Sequence, residues 1–177
     1  FQLRVEPGTL MFKKASGSAY TYTLTTSSGL ISLNVSYNSS DMVQQVVVRG
    51  WDILSKKEIV GIASSSEVEA IGQGELGAQT ASVFGEQTAY ITDVPVSTQE
   101  MADALAKAEM ERLARRFGRG KAVIVGDSDL RAGSTLDIQG LGEGVNGSHH
   151  VVSSRHVIRP QVGYRTEVTF CTNTMGN

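Results

Sequence analysis

The sequence predicts a mainly β protein of the α+β class, an antiparallel β-barrel with one inserted amphipathic helix. Short segments in which apolar and polar residues alternate recur along most of the chain, separated by turn residues. One segment in the second half has helical spacing instead. About eight strands favour a sheet that closes on itself, because closure removes exposed strand edges.

The predicted strands alternate or are rich in β-branched residues, and they end at glycine, proline or polar residues. They lie at residues 19–24, 30–37, 44–51, 57–63, 88–94, 121–126, 134–139, 149–158 and 164–172. Residues 64–87 mix Gly, Ser, Gln and Ala without a sustained period, which predicts a long loop. We therefore expect a lead segment at residues 1–18 and a single barrel domain at residues 19–177.

The helix is predicted at residues 97–117. Ser97 and Glu100 have the spacing of a capping box, in which each side chain accepts a hydrogen bond from an unpaired backbone N–H. Gly118 stands where a left-handed C-terminal cap is common. Residues at three- and four-residue steps form one apolar stripe, namely Ala102, Ala106, Met110, Leu113 and Phe117. This stripe predicts packing against an apolar surface.

Composition narrows the possible partners. The chain has 177 residues with 16 Lys and Arg against 18 Asp and Glu, a formal charge of −2. It therefore lacks the positive excess that drives binding to nucleic acid. No apolar run approaches the ~20 residues that a membrane-spanning helix needs. Because Cys171 is the only cysteine, the chain cannot form an internal disulfide.

The sequence predicts no catalytic, cofactor-binding or metal-binding residues. His149, His150 and His156 are the only histidines. Strict alternation along a strand places His150 and His156 on one face about 20 Å apart, and His149 on the other, so they cannot share a metal ion. Cys171 follows Phe170 within a predicted strand, where a thiol is usually a small apolar side chain.

Two further patterns favour turns over chemistry. The segments GQGELG and GEGVNG match the glycine spacing of dinucleotide-binding loops. Such a loop works only where a strand leads directly into a helix, and neither segment has that context. Asp127 and Asp129 follow the apolar run KAVIV and fit a polar turn.

A series of short patterns, each weak alone, occurs in a characteristic order between residues 44 and 172. It comprises QQVVVRGWD, KEIVGIA, ADALAKAEMERLARR, GDSDLRAGSTLDIQGLG and HVVSSRHVIRPQVGYRTEVTF. In this order the patterns resemble the phage late control D family. That family includes the hub part of the VgrG spike proteins of type VI secretion and the spike proteins of extracellular contractile injection particles.

The resemblance implies a structural, non-enzymatic protein without a cofactor. It implies a homotrimeric hub of tube-like barrels in the baseplate of a virion or phage-tail-like particle, assembled in the bacterial cytoplasm. The implied partners are copies of the chain, the inner tube protein and a spike or tip protein. Trp51, Asp52 and Gly133 would belong to barrel walls, and His156 and Tyr164 to the closing hairpin, as structural positions.

Another class of function stays open from the sequence. A ligand-binding β-domain, for example one that binds cell-wall glycan, would use Tyr20, Tyr22 and Tyr37 as a stacking surface on one sheet. An enzyme ranks third, because the sequence shows no constellation of acid, base and nucleophile. A trimer in solution favours the hub, and a stable monomer with glycan affinity favours the binding domain.

Overall fold

The computed structural model describes residues 2–6, 8–13 and 20–176. It is mainly β and has one long helix, so the predicted fold class is confirmed. The strands are β1 (Gln2–Glu6), β2 (Thr9–Lys13), β3 (Thr21–Leu24), β4 (Leu30–Tyr37), β5 (Gln45–Asp52), β6 (Lys57–Ser64), β7 (Thr88–Ile91), β8 (Gly118–Val125), β9 (Thr135–Ile138), β10 (Gly147–Arg159) and β11 (Gly163–Thr172). The helices are α1 (Gly77–Ala81) and α2 (Gln99–Ala114).

Six strands form one curled sheet, a half-barrel with the order β3-β9-β10-β11-β8-β4. Its two edge strands, β3 and β4, are consecutive in the chain and are joined by residues 25–29 alone. The sheet must curl for so short a loop to connect its edges. β3 instead pairs in parallel with β9, and the strand order leaves a seam between β3 and β4, so the half-barrel is open where a closed barrel was predicted.

The concave face of the half-barrel holds the first apolar core. Its members come from β3, β8, β9, β10 and β11 and from the turn after β8. They are Leu24, Ala122, Ile124, Leu130, Leu136, Ile138, Val151, Val168 and Phe170. Gly120 lies beneath Phe170, where a Cβ would approach the ring to 2.2 Å. The glycine is therefore required for the packing of the largest residue in this core.

The remaining central strands form a second sheet with the order β6-β5-β7. β5 pairs antiparallel with β6 and parallel with β7, and α2 packs on one face of β5 and β6. The second core lies between the helix and this sheet and includes Val46, Val48, Ile59, Ala106 and Met110. The strands from β3 to β11 thus divide between two sheets and do not join one continuous barrel, because the helix gives the central strands an apolar surface of their own to cover.

The helix is shorter than predicted and has a different cap. Thr98, not Ser97, is the N-cap, and its hydroxyl accepts a hydrogen bond from the Met101 N–H. The helix ends at Ala114, so Phe117 lies beyond it in a small cluster with Met42 and Ala81. The other four stripe residues are buried, as the spacing predicts.

Gly118 is not a left-handed cap. It begins β8, and its φ is not among the positive values that ten other described glycines adopt. A Cβ at Gly118 would lie 2.5 Å from Thr172 Cγ2 and 2.8 Å from Tyr37 Cε1. The position requires glycine because β4 and β11 approach β8 closely from both sides, and not because of its backbone conformation.

The predicted long loop at residues 64–87 contains ordered structure. It includes two 3-10 helices (Ser65–Glu67 and Ser82–Phe84) and α1. Asn173 holds it from the end of the chain, because its side chain accepts from the Ile71 N–H and donates to the Glu69 carbonyl, both at 2.8 Å. A Cβ at Gly77 would lie 2.1 Å from the Phe117 ring. The segment packs on the body through small residues, which carry no periodic signal in the sequence.

The region predicted as a lead contains the hairpin of β1 and β2. Its register pairs Leu3 with Phe12 and Val5 with Leu10. The boundary predicted between residues 18 and 19 lies outside the described residues. No extensive contact joins this hairpin to the other described elements.

Candidate assembly surfaces

The β5–β6 hairpin ends in a turn that Asp52 organises. Its carboxylate accepts hydrogen bonds from the backbone N–H groups of Leu54 and Ser55 at 2.9 and 3.2 Å, and from the Ser55 hydroxyl. The hydrogen bonds from Ser55 and Leu54 lower the pKa of Asp52. The apolar side chains of Ile53 and Leu54 are exposed at the tip of this turn. Asp52 is therefore a turn-forming residue at the end of the sheet.

The face of the three-stranded sheet turned away from α2 carries exposed apolar groups. The register places Ile62, Val47 and Tyr90 in one row across β6, β5 and β7. Ile62 and Tyr90 are exposed, whereas Val47 between them is buried. Trp51 lies farther along the same face of β5 and is 55% exposed. We name this surface the outer sheet face.

The charges on the outer sheet face compensate each other. Arg49 lies 3.6 Å from the Glu58 carboxylate on the neighbouring strand. Its guanidinium carbon also lies 5.9 Å from the centre of the Tyr90 ring, within the range of a cation–π contact. An exposed surface that combines Trp, Tyr, Ile and Arg has the composition of the central part of a protein interface.

On the half-barrel, a cluster of hydrogen-bonded polar side chains links several strands. The Tyr164 hydroxyl lies 3.0 Å from His156 Nδ1, and that nitrogen lies 3.2 Å from Thr166 Oγ1. Thr166 donates to the Asp127 carbonyl and accepts from the Asp127 N–H. Tyr20 donates to Asp127 Oδ2 at 3.0 Å. These groups are hydrogen-bonded to one another, so the cluster joins β10 and β11 to the turn after β8 and to the start of β3.

His156 lies on the face opposite to the one that strict alternation predicts relative to His150. The β10–β11 register shifts between Val151 and Ser153, which places one extra residue in β10. Beyond a bulge the alternation reverses. His156 therefore shares the concave face with His149, whose ring packs edge-on against Phe170 at 4.9 Å.

Gly133 has a φ of +88°, in the left-handed region that favours glycine. It lies in the turn before β9, and its N–H donates to the Val151 carbonyl at 2.8 Å. The predicted site residues are thus spread over both sheets. Trp51 and Asp52 lie at one end of the three-stranded sheet, and Gly133, His156 and Tyr164 lie on the half-barrel.

The tyrosines considered for glycan stacking do not form one surface. Tyr20 and Tyr22 belong to the β3 edge, and both pack against the half-barrel core. Tyr37 ends β4 at the other edge and contacts Phe117 with ring centres 5.3 Å apart. Burial raises the pKa of Tyr37, and its hydroxyl donates to the Gly144 carbonyl. Their rings contribute to packing and are not presented together to solvent.

The residues considered for chemistry, Cys171, His149 and His150, are buried or half-buried in the fold. Burial raises the pKa of the Cys171 thiol and lowers the pKa values of His149 and His150. Within residues 2–6, 8–13 and 20–176, His, Cys, Asp and Glu form no group suited to a metal ion. Gly142 and Gly144 have positive φ in the turns before β10, as the loop interpretation predicts, and Gly147 has positive φ at the first residue of that strand. No helix of the described chain has the length and apolar character required to cross a membrane.

The hairpin of β1 and β2 and the outer sheet face were not predicted from the sequence. The alternation of Leu3 and Val5 with polar residues in QLRVE was a signal for the first strand. The exposed side chains of Ile62 and Tyr90 had no such signal, because an apolar residue in a strand is usually assigned to the core.

Comparison with solved structures finds the same fold in tail proteins. A tail protein from Neisseria meningitidis MC58 superposes with a TM-score of 0.64 at 10% identity, over 97% of this chain and 50% of that one. The 43 kDa tail protein of prophage MuSo2 from Shewanella oneidensis gives 0.67 at 11% identity, over 92% and 47%. The chain therefore spans about half the length of these proteins and has the fold of that half.

The resemblance seen in the sequence is thus supported at the level of a tail-protein fold, while the assignment to a VgrG-type hub stays a prediction. No curated protein sequence matches the chain. A family model matches residues 2–160, about nine-tenths of the sequence, and its description is the Alg8 N-terminal domain. This chain belongs to the Alg8 N-terminal domain family.

Proposed function

We propose that the protein is a structural, non-enzymatic component of a phage-tail-like particle, in which it forms part of a trimeric hub that joins the inner tube to the spike. The likeness to two tail proteins over more than nine-tenths of the chain is the observation that carries this proposal. The ordered sequence patterns that resemble the late control D family point the same way. On this proposal the particle belongs to a contractile injection system, and the chain lies in its baseplate.

The exposed surfaces support a role in assembly. The outer sheet face presents Trp51, Ile62 and Tyr90 to solvent, and Arg49 on this face lies 3.6 Å from the Glu58 carboxylate. Large exposed apolar residues on neighbouring strands are typical of surfaces that other proteins cover. The polar cluster around Asp127 is bonded within itself and connects strands, which fits a building block better than a catalyst.

Two measurements test the proposal. Analytical ultracentrifugation of the purified chain is expected to show a species of about 57 kDa, three times the 18.9 kDa chain. Cryo-electron microscopy of particles from the native host, labelled with an antibody against this chain, is expected to show label at one end of the tail tube. Particles labelled along the tube or at the sheath would contradict the hub position, and unlabelled particles would contradict a role in the tail.

A further inference from the structure

The face of the half-barrel that points away from its core carries an excess of positive charge. Alternate residues of a strand share a face, and so do residues directly opposite on neighbouring strands. By this rule the register of β8, β10 and β11 places five cationic side chains on one face, all exposed or half-buried. They are Arg119, Lys121, Arg155, Arg159 and Arg165. We name this surface the basic face.

Most cations of the basic face have no partner. Glu167 is the only carboxylate that the described strands β4, β8, β10 and β11 place on it, and it lies 3.6 Å from Arg155. No ion pair within the described chain includes Arg119 or Lys121. The Nε of Arg165 is buried without a hydrogen-bond partner in the described chain, whereas buried polar groups in folded proteins are nearly always paired. The basic face therefore presents charges that an acidic surface would neutralise.

The chain also carries an acidic surface, at one end of the half-barrel around residues 173–176. Glu69 and Glu75 accept hydrogen bonds at their backbone carbonyls from this segment, and Glu143 lies next to a residue that pairs with it. All three side chains are exposed. No Lys or Arg occurs in the three segments that meet here, residues 64–87, 132–154 and 172–176. We name the three glutamates the acidic end.

We propose that the basic face of one copy binds the acidic end of the next copy. Charge complementarity identifies the occupant, because each surface lacks the charge that the other presents and both belong to one chain. Within the described part of one copy no ion pair joins the two surfaces, and hydrogen bonds to residues 173–176 hold the acidic end in place. The two surfaces therefore meet only between copies.

The contact joins unlike surfaces of successive copies. Contacts of this kind generate a closed ring when the rotation between copies closes. Complementary charges also fix the orientation of the partners and disfavour wrong ones. The contact deepens the proposed function and rests on it, because it supplies the joint of the trimer. A nucleic acid fits the basic face less well, since the described strands place no aromatic side chain there for base stacking.

Charge reversal in the full chain tests the contact by sedimentation at about 0.05 M salt, where charges are weakly screened. Arg119→Glu with Lys121→Glu makes the basic face acidic at two exposed positions. We expect this double variant to weaken self-association about 100-fold, because like charges then face each other. Lys56→Glu with Lys57→Glu is the matched control, with the same change in net charge at exposed positions of the β5–β6 hairpin. Equal loss in both double variants overturns the contact.

A charge exchange distinguishes a second copy from any other acidic partner. Glu69→Lys and Glu75→Lys, added to Arg119→Glu and Lys121→Glu, restore the wild-type net charge and exchange the signs of the two surfaces. The glutamate backbone carbonyls that hold the acidic end are retained by lysine. We expect self-association within about tenfold of wild type. A failed rescue overturns the second copy as occupant, because an unrelated acidic protein keeps its own charge.

A zero-length crosslink measures the contact in the unaltered chain. A carbodiimide joins a carboxylate to a lysine amine only when the two are in contact, and Lys121 is the only lysine on the basic face. In a mixture of isotope-labelled and unlabelled chains, mass spectrometry identifies crosslinks between copies. We expect Lys121 to be joined to Glu69, Glu75 or Glu143, and Lys57, which is also exposed, to give no crosslink to these glutamates.

The outcomes separate this contact from the proposed function. A trimer that persists in Arg119→Glu/Lys121→Glu, without Lys121 crosslinks between copies, refutes the contact and leaves the trimeric hub standing. Lys121 crosslinks between copies in a species other than a trimer support the contact and refute the trimer. A wild-type chain that stays monomeric at every concentration refutes both.

Discussion

Substitution of Gly61 tests how α2 packs on the three-stranded sheet. Gly61 lies on β6, and a Cβ there would lie 2.4 Å from the carbonyl carbon and oxygen of Ala102 in α2. Those atoms belong to the backbone, so no side-chain rotation relieves the overlap and the helix must move away from the sheet. Overpacking of a core costs about 1–3 kcal/mol, and more where relaxation is blocked. We expect Gly61→Ala to lower the free energy of unfolding by about 3 kcal/mol.

Urea denaturation measures this loss. With a slope of about 2 kcal/mol/M, the transition midpoint is expected to fall by about 1.5 M without a change in slope. Gly140→Ala is the matched control, because a Cβ there meets no atom within 4 Å and only the φ of +70° opposes it. That control is expected to lose about 1–2 kcal/mol. If Gly61→Ala lowered the free energy of unfolding no more than the control did, the close contact between α2 and β6 would be refuted.

Three further predictions concern buried side chains. Met110→Ala, in the core between α2 and its sheet, is expected to cost about 2–5 kcal/mol in a urea titration, whereas exposed Met101→Ala should cost under about 0.5 kcal/mol. Asn173→Ala removes both hydrogen bonds to residues 69 and 71 and should lower the free energy of unfolding by about 1–3 kcal/mol. Protease cleavage between residues 64 and 76 should also become faster. Unchanged cleavage would contradict the role of Asn173 in holding this segment. Burial lowers the pKa of His149, so below about pH 6.5 the unfolded chain binds a proton more readily than the folded chain, and the free energy of unfolding falls as pH falls. We expect His149→Gln to weaken this pH dependence between pH 7.5 and 5.5. An equal pH dependence in both proteins would show that His149 is not its source.

Local structure was largely predictable from the sequence. β4 has the predicted bounds, and most of the strands from β5 to β11 lie within a few residues of theirs. Alternation and β-branched residues depend only on which face of a strand is buried, which the sequence records directly. The stripe on α2 was predicted for the same reason. Its cap was misassigned by one residue, because Ser97 and Thr98 are both good N-cap residues and the sequence does not choose between them.

The candidate surfaces were harder to predict. Trp51 was singled out, but the presence of Tyr90 on the same sheet face depends on the parallel pairing of β5 with β7, which joins strands separated by 35 residues of chain. The face on which His156 lies depends on a bulge between Val151 and Ser153, and no residue there predicts a bulge. In each case the decisive contact comes from a distant segment, and the local sequence carries no record of it.

The sequence by itself determined that the chain is mainly β, where most strands and the long helix lie, and which of their faces are apolar. These properties follow from side-chain spacing within a few residues. Only the tertiary structure decided that the strands divide into a half-barrel and a separate sheet covered by α2, and that the outer sheet face remains exposed. The physical reason is that an apolar face can be buried equally well against several surfaces, and the choice depends on the total burial achieved by the whole chain.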